Sequence, residues 1–414
     1  MSEGALLKVG DHIEFLSGYP YNSEGFNTEN GVPLIRIRDL ENSKLETKYS
    51  GEFDEKWLIQ ESDILIGMDG DFHIVRWKKE PALLNQRILK AFEKNSSLID
   101  EGYFYFWCKP KLEKIHQQTA ATTVKHLSVK DLLKLTDRFP PLPSQKRIAK
   151  ILSTIDESIE HTEALIKKTN KIKVGLMQDL FTRGVTPDGQ LRPPHTEAPH
   201  LYKKSPLGWI PEEWGIRSLL HCLQCRPVNG IYKPAGEIGS GALLIGQTAI
   251  SDSRIVDEAL ARRAKVSPSE LSHYGLAVGD ILMSRVYATL EGVGRPGYVA
   301  QLNEPAVFES NMVRLRNDQN VISSLLLFQW LKGAQARAHI LRTANIGNQC
   351  SVNQQALRTL YVPIPSQAEQ KEMMERIRSM QKYGLLEQKY LNKLKHEMPG
   401  LLHDLLSNEV HVTV

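Results

Sequence analysis

Cys222 and Cys225 form a C-x-x-C with His221 beside it, a spacing that could open a zinc or dithiol site. A structural zinc ion takes four ligands, and neither a second C-x-x-C nor an H-x-x-x-H pair occurs in the chain. The four cysteines, Cys108, Cys222, Cys225 and Cys350, are therefore expected to be small core residues of a protein from a reducing compartment, with no metal site. Asp69, Asp71 and Glu80 lie close together near Lys78 and Lys79. A metal-dependent nuclease would use such groups, but this spacing fits no nuclease pattern. The phosphate-binding G-x-x-x-x-G-K-[ST], the zinc-protease H-E-x-x-H and the esterase G-x-S-x-G are all absent. So is the [NDS]-P-P-[YF] motif of amino-methyltransferases; Phe139-Pro140-Pro141 reverses its order. GSG at 239–241 and GVG at 292–294 lack a strand–turn–helix setting and read as turns. No catalytic residue is expected.

If the chain reads DNA, as the resemblance drawn below implies, the relevant chemistry is hydrogen bonding to base edges. Arg suits guanine, and Asn or Gln suits adenine. The candidates in the first half are Arg36, Arg38, Gly67, Asp69, Arg76, Asn85, Gln86 and Arg87, the loop Gly67-Met68-Asp69-Gly70 among them. In the second half they are Gln247, Ser284, Arg285, Tyr287, Arg295 and Asn311. For any one of them the competing reading is a phosphate contact or a solvated surface group, because over half of protein–DNA contacts go to the backbone. A net charge of +4 neither requires nor excludes a nucleic-acid partner.

Elements that could position these residues come in two copies. SDIL at Ser62–Leu65 matches GDIL at Gly279–Leu282, Trp107 matches Trp330, and Ser128-Val129 matches Ser351-Val352. PLPSQ at Pro141–Gln145 matches PIPSQ at Pro363–Gln367, and GLMQDLF at Gly175–Phe181 matches GLLHDLL at Gly400–Leu406. The offsets are 280 − 63 = 217, 330 − 107 = 223, 351 − 128 = 223, 365 − 143 = 222 and 400 − 175 = 225. Constant order with slow drift predicts two copies of one domain-sized unit. The Pro- and Gly-rich segment 184–208 separates them as a linker or surface loop. In each copy strands come first: PLIRIRDL (33–40) and NMVRLR (311–316) alternate apolar and basic residues, which puts arginines on one face. Residues 323–341 read as one amphipathic helix, with 96–118 as its counterpart.

A long helix ends each copy. In the first, Ile148, Leu152, Ile155, Ile159, Ile166, Ile172, Leu176 and Leu180 fall at gaps built from three and four, with Thr162 and Thr169 filling weaker positions. Ser144 is the expected N-cap and Gly184 the stop; such a rod is roughly 58 Å long. In the second, Met374, Ile377, Leu391, Leu394, Met398, Leu402 and Leu405 make the stripe, and the seam is polar around Gln381, Gly384 and Gln388. Ser366 and Glu369 predict a capping box, and Pro399 a kink. Each stripe needs a partner, and the other helix is the obvious one. Lys167, Lys168, Lys171 and Lys173 read as a solvated face.

The duplicated layout, the paired P-[LI]-P-S-Q helix starts, the L-x-x-D-L-[FL] ends at 176–181 and 401–406, the segment SPLGWIPEEWGIRSL (205–219) and the strands at Val32–Leu40, Ser62–Leu65 and Gly279–Leu282 together resemble the specificity subunits of type I restriction–modification enzymes. The resemblance covers almost the whole chain. It implies an α+β fold: target-recognition domains at 1–140 and 209–362, spacer helices at 141–184 and 363–414 pairing as an antiparallel coiled coil, and a linker at 185–208. It implies a bipartite, asymmetric DNA target, with the coil setting the spacing between two short half-sites. It also implies two methyltransferase subunits that modify adenine with S-adenosylmethionine, up to two restriction subunits that use ATP and Mg, and no cofactor in this chain. The alternative is the specificity subunit of a related two-subunit enzyme that cuts outside its site; only the neighbouring subunits tell the two apart. With no apolar run near ~20 residues and no leader-like N-terminus, a cytoplasmic location is expected.

Overall fold

The computed structural model describes residues 4–40, 45–95, 97–119, 125–251 and 254–407. They divide into two units. The first joins Met1–Ala164 to Gln388–Val414, and the second is the continuous stretch Leu165–Glu387. Both long helices, Leu142–Thr182 and Gln367–Leu406, pass from one unit into the other.

In the first unit the D-I-L segment forms the strand Ile64–Gly67 of a four-stranded antiparallel sheet. Its neighbours run Ile13–Ser17, Ile88–Glu93, Ile64–Gly67, Ile74–Arg76. All four residues of that strand are buried, and the pleat explains why the run is continuously apolar. Ile64 and Ile66 face the core built on the helix Glu101–Gln118. Leu65 faces a second core shared with Ile35, Trp77 and Leu84. That second layer holds the parallel pair Val32–Ile35 and Ala82–Leu84.

The second unit repeats this order strand for strand: Val228–Asn229, Met312–Leu315, Ile281–Ser284, Pro296–Tyr298. Ile281 and Met283 face one core and Leu282 the other. Its parallel pair is Ile238–Ile245 with Ala306–Phe308. Even the turn before the central strand is shared, with Ser62 (φ 77°) standing where the second unit has Gly279 (φ 95°). The α+β duplication is thus seen in backbone pairing as well as in sequence.

Within each unit the long helices run antiparallel. In the first, Ile148 and Leu152 near the start of one helix share a core with Met398 and Leu405 near the end of the other, and Lys395 pairs with Glu163 at 2.6 Å. In the second, Leu180 and Phe181 pack with Met373 and Ile377, and Thr169 Oγ1 donates to Glu387 Oε2 at 3.3 Å. Buried seam positions 148, 152, 162, 169 and 180 on the first helix correspond to 373, 377, 387, 394 and 405 on the second, an offset of 225 throughout; of these only Leu394 is half-buried. Leu176, Met374, Leu402, Ile155, Ile159 and Ile166 flank the seam half-buried, and Leu391 and Met398 lie in it. Ile172 is 50% exposed and lies off the seam; Lys173 holds the heptad position instead.

Several expectations change. The PLPSQ and PIPSQ motifs match as letters but not as positions: Gln145 corresponds to Gln370, three residues beyond Gln367. Gln145 Nε2 donates to Leu98 O and Pro140 O, and its Oε1 accepts from Asp100 N, each at 2.8 Å. Gln370 makes the same bonds to Val321 O, Pro365 O and Ser323 N at 2.9, 3.1 and 2.9 Å. Asp100 and Ser323 are the N-caps of the helices Glu101–Gln118 and Ser324–Lys332, so each glutamine ties a long helix to the helix of its own domain. The SV match likewise slides by two, because Leu127 and Val352 occupy the same place.

Ser144 lies inside a helix that begins at Leu142. Ser366 does accept from Glu369 N at 3.2 Å, but the Glu369 carboxylate does not close a capping box. It accepts instead from Val185 N, Arg192 and Trp214 Nε1. The helix continues through Pro399 to Leu406. Residues 323–341 form two helices, Ser324–Lys332 and Ala334–Thr343, divided at Gly333. The segment after Gly184 is ordered by that same Glu369 and carries a hairpin, Tyr202–Ser205 with Gly208–Pro211. Gly184 itself has φ 63°, and a Cβ there would run into Glu369 and Trp214.

Candidate nucleic-acid interface

At the end of each central strand the backbone builds one small frame from three loops. In the first unit Met68 N donates to Arg87 O at 2.8 Å, and Leu127 N donates to Met68 O at 2.7 Å. In the second, Arg285 N donates to Asn311 O at 2.8 Å, and Val352 N to Arg285 O at 2.9 Å. The outgoing loops pair as Asp69 with His126 in one unit and Val286 with Ser351 in the other. Two backbone hydrogen bonds and the loop pairing recur in both frames, whereas the positive φ of Arg87 has no counterpart at Asn311, and the side chains differ in charge and size.

The first frame carries Gly67, Asp69 and Arg87, with Asn85 and Gln86 leading into it. His126 Nδ1 lies 2.6 Å from Asp69 Oδ1 and 3.3 Å from Arg87 Nη1. The shorter contact is to a carboxylate, so Nδ1 carries the proton and donates to Asp69. Arg87 Nε stands 3.7 Å from Asp69 Oδ2, with its side chain 55% exposed. Arg87 also holds φ 74°, a left-handed conformation that non-glycine residues rarely adopt. Asn85 is buried and its Oδ1 accepts from Gln86 N.

Three other candidates of the first domain stand elsewhere. The alternating pattern predicts Arg36 and Arg38 on one face of a strand. The strand ends at Ile35; Arg36 is the N-cap of a 3-10 turn, Ile37–Asp39, and Arg38 lies within it. Asp39 is the cause, because its side chain accepts from Arg36 N at 3.0 Å and closes the turn. Arg76 lies over the Tyr105 ring at 5.4 Å, lining a small pocket with Ser153, Asp156 and Glu157 of the long helix. Burial raises the Asp156 carboxyl above its ordinary range, and Glu160 adds to that while Lys109, Lys78 and Arg76 oppose it.

All six candidates of the second domain meet at the second frame. Gln247 Nε2 donates to Val286 O at 2.7 Å, and Arg285 Nη2 to Ser310 O at 3.0 Å. Ser284 N donates to Arg295 O at 3.0 Å, and Arg295 Nε to Glu291 O at 2.6 Å. Tyr287 packs where a Cβ on Gly292 would stand, so that position needs glycine. Asn311 points its Oδ1 inward, buried without a hydrogen-bond partner. The likewise buried NMVRLR strand does not present its arginines on a free face. Arg314 is buried and donates to Gly275 O, and Arg316 pairs with Asp280 at 2.7 Å.

Sequence reasoning missed a crowding of positive charge in this unit. Burial, then Lys173 and Arg254, bring Lys332 down to about 8. Burial, then Arg295 and Arg254, lower Arg337. These residues are scattered along the chain, and no local pattern announces their meeting. His126 was missed for the same reason. Gln145 and Gln370 did leave a signal, a Gln-Lys pair recurring at offset 225. Cys222 is buried and burial raises its thiol to about 11, while Cys225 is exposed. Among the described residues no His, Cys, Asp and Glu cluster has metal-binding geometry, and no helix is long and apolar enough to cross a membrane.

Comparison with known proteins gives this arrangement its context. The chain is 29% identical over 398 residues to the type I restriction enzyme EcoBI specificity subunit of Escherichia coli, covering 94% of this chain and 82% of that one. It is 24% identical to the MjaVIII specificity subunit of Methanocaldococcus jannaschii, covering 98% and 93%. Its fold matches the S subunit of a type I restriction–modification system from M. genitalium with a TM-score of 0.63 at 15% identity, over 99% of this chain and 96% of that one. The model of the family described as "Type I restriction modification DNA specificity domain" matches residues 2–171 and again 271–396. Two matched regions, together more than half of the chain, show that this protein belongs to the type I restriction–modification DNA specificity family.

Proposed function

We propose that the chain is the DNA-reading subunit of a type I restriction–modification assembly, with each unit recognising one half of a bipartite, asymmetric target. The observation that carries this reading is the pair of frames, where one pattern of backbone hydrogen bonds and loop pairing presents Asp69, Arg87 and His126 in one unit and Val286, Asn311 and Ser351 in the other. Different side chains on equivalent mounts read different bases. The chain selects the site and does no chemistry on it. Adenine methylation with S-adenosylmethionine belongs to two partner methyltransferase subunits, and ATP- and Mg-dependent translocation and cleavage to as many as two restriction subunits. Exposed apolar side chains on the long helices, Ile172, Val174, Leu385 and Leu386, each at least half exposed, offer the methyltransferases contact area.

Co-expression with a cognate methyltransferase and mapping of methylated adenines across a genome tests the reading. One motif with two unlike parts and a fixed gap is expected. A continuous motif would refute two readers, and no motif would refute the assignment.

A further inference from the structure

From the first frame we infer that Arg87 is a specificity-determining residue that reads a guanine in one half-site only, with Asp69 and His126 as its positioning residues. The inference rests on the DNA-reading function proposed above and adds to it a residue, a base and a half-site.

Three observations converge on Arg87. Its backbone is held at φ 74°, and such a conformation persists only where the surroundings impose it, as they do at binding sites. The imposing contacts are visible: Arg87 O accepts from Met68 N, and the neighbouring Gln86 N donates to Tyr19 O at 3.0 Å. The side chain is more than half exposed, with the Asp69 carboxylate as its ion-pair neighbour. His126 donates to one oxygen of Asp69, which turns the other toward Arg87 Nε. An ion pair at 3.7 Å draws the guanidinium toward Asp69 without a hydrogen bond to fix it, and its planar fork is the group that recognises guanine O6 and N7 bidentately. A phosphate contact can also be made by the point charge of a lysine, and it carries no base information.

The second unit supplies the third observation. The frame places Asn311 where the first unit has Arg87, Val286 where it has Asp69, and Ser351 where it has His126. None of the three is charged, and the Asn311 Oδ1 is turned inward. The device therefore exists once in the two frames, and any base it reads belongs to one half of the target.

The test uses the whole chain assembled with its methyltransferase. The wild-type motif is mapped first; absence of a bipartite motif would fail the functional reading and not this inference in particular. Arg87→Gln and Arg87→Lys are then mapped. Each is expected to lose selectivity at one G·C pair of one half-site by about 5- to 150-fold, the range of a single bidentate contact, while the other half-site is unchanged. Arg87→Lys keeps the charge, so a phosphate-binding role predicts an unchanged motif, and that result overturns the inference. Asp69→Asn and His126→Ala are expected to relax the same pair to a smaller degree. If a variant no longer supports methylation, competition binding of its assembly to duplexes that differ only at that pair reads the selectivity directly. Undiminished preference for the wild-type pair overturns the inference there too.

Discussion

Gln145 and Gln370 sit at equivalent points of the two units and make the same three hydrogen bonds, each joining the start of a long helix to the cap of its domain's own helix. Both side chains are almost wholly buried, at 0% and 1% exposure. Leucine has a similar volume but no amide. Gln145→Leu or Gln370→Leu strands one backbone N–H and two carbonyls away from water, which costs about 1–3 kcal/mol per group and is partly relieved by local relaxation. Each substitution is expected to lower stability by about 2–4 kcal/mol in urea unfolding. A loss under about 0.5 kcal/mol would show that these bonds do not hold the domain to the helix.

Glu369 lies at the centre of a second junction. Its carboxylate accepts from Val185 N at 2.7 Å, Arg192 Nη1 at 2.5 Å and Trp214 Nε1 at 2.9 Å, and the Glu369 and Arg192 side chains are each 6% exposed. Glu369→Ala leaves a buried guanidinium with only the exposed Glu213 carboxylate as a charged partner, a defect worth up to about 3–5 kcal/mol. Glu213 also pairs with Arg192, at 3.0 Å, but is 76% exposed, so Glu213→Ala should cost less than about 1 kcal/mol. Equal losses in the two variants, measured by denaturant titration, would contradict a decisive role for burial.

Lys332 makes a prediction about pH. Burial chiefly, then Lys173 and Arg254, bring its ammonium from an ordinary 10.5 to about 8 in the folded chain. Below pH 8 the group is charged in both folded and unfolded states, and folding carries the penalty. Between 8 and 10.5 the unfolded chain binds the proton and the folded chain does not, so stability attributable to this group rises with pH. Lys332→Met removes the penalty. It should be more stable than the wild type at about pH 7, and the difference should shrink as pH approaches about 10. A difference that is constant or grows with pH, in thermal melts across that range, would contradict the depressed value.

Much of this architecture was legible because it repeats. The heptad stripes were readable from Ile148, Leu152 and Leu180, since burial against a partner helix leaves a period of three and four in the sequence. The strands Ile64–Gly67 and Ile281–Ser284 were readable as short apolar runs. What escaped was whatever a polar side chain decided over a distance. Asp39 ends a strand early and turns Arg36 and Arg38 away from the expected face. Glu369 leaves its capping box to bind Arg192, 177 residues earlier in the chain. The repeated proline motifs misled by three residues because prolines mark where a helix can begin, whereas the buried glutamine marks where the helix is fastened. At the candidate interface the individual residue types were legible, but their grouping was not. Asp69, Arg87 and His126 meet only through three separate loops.

The division of the chain also bears on how it comes to be folded. The second unit is one uninterrupted stretch, whereas the first needs residues from Gln388 onward to complete it. A ribosome adding roughly 5–20 residues per second takes about 10–45 s to make the intervening segment. Through that interval Ile148 and Leu152 have been made, but Met398 and Leu405, which share their core, have not. Of the two units, the one begun first is therefore completed second, and the apolar stripe at Ile148 and Leu152 waits for its partner until the end of the other long helix is made.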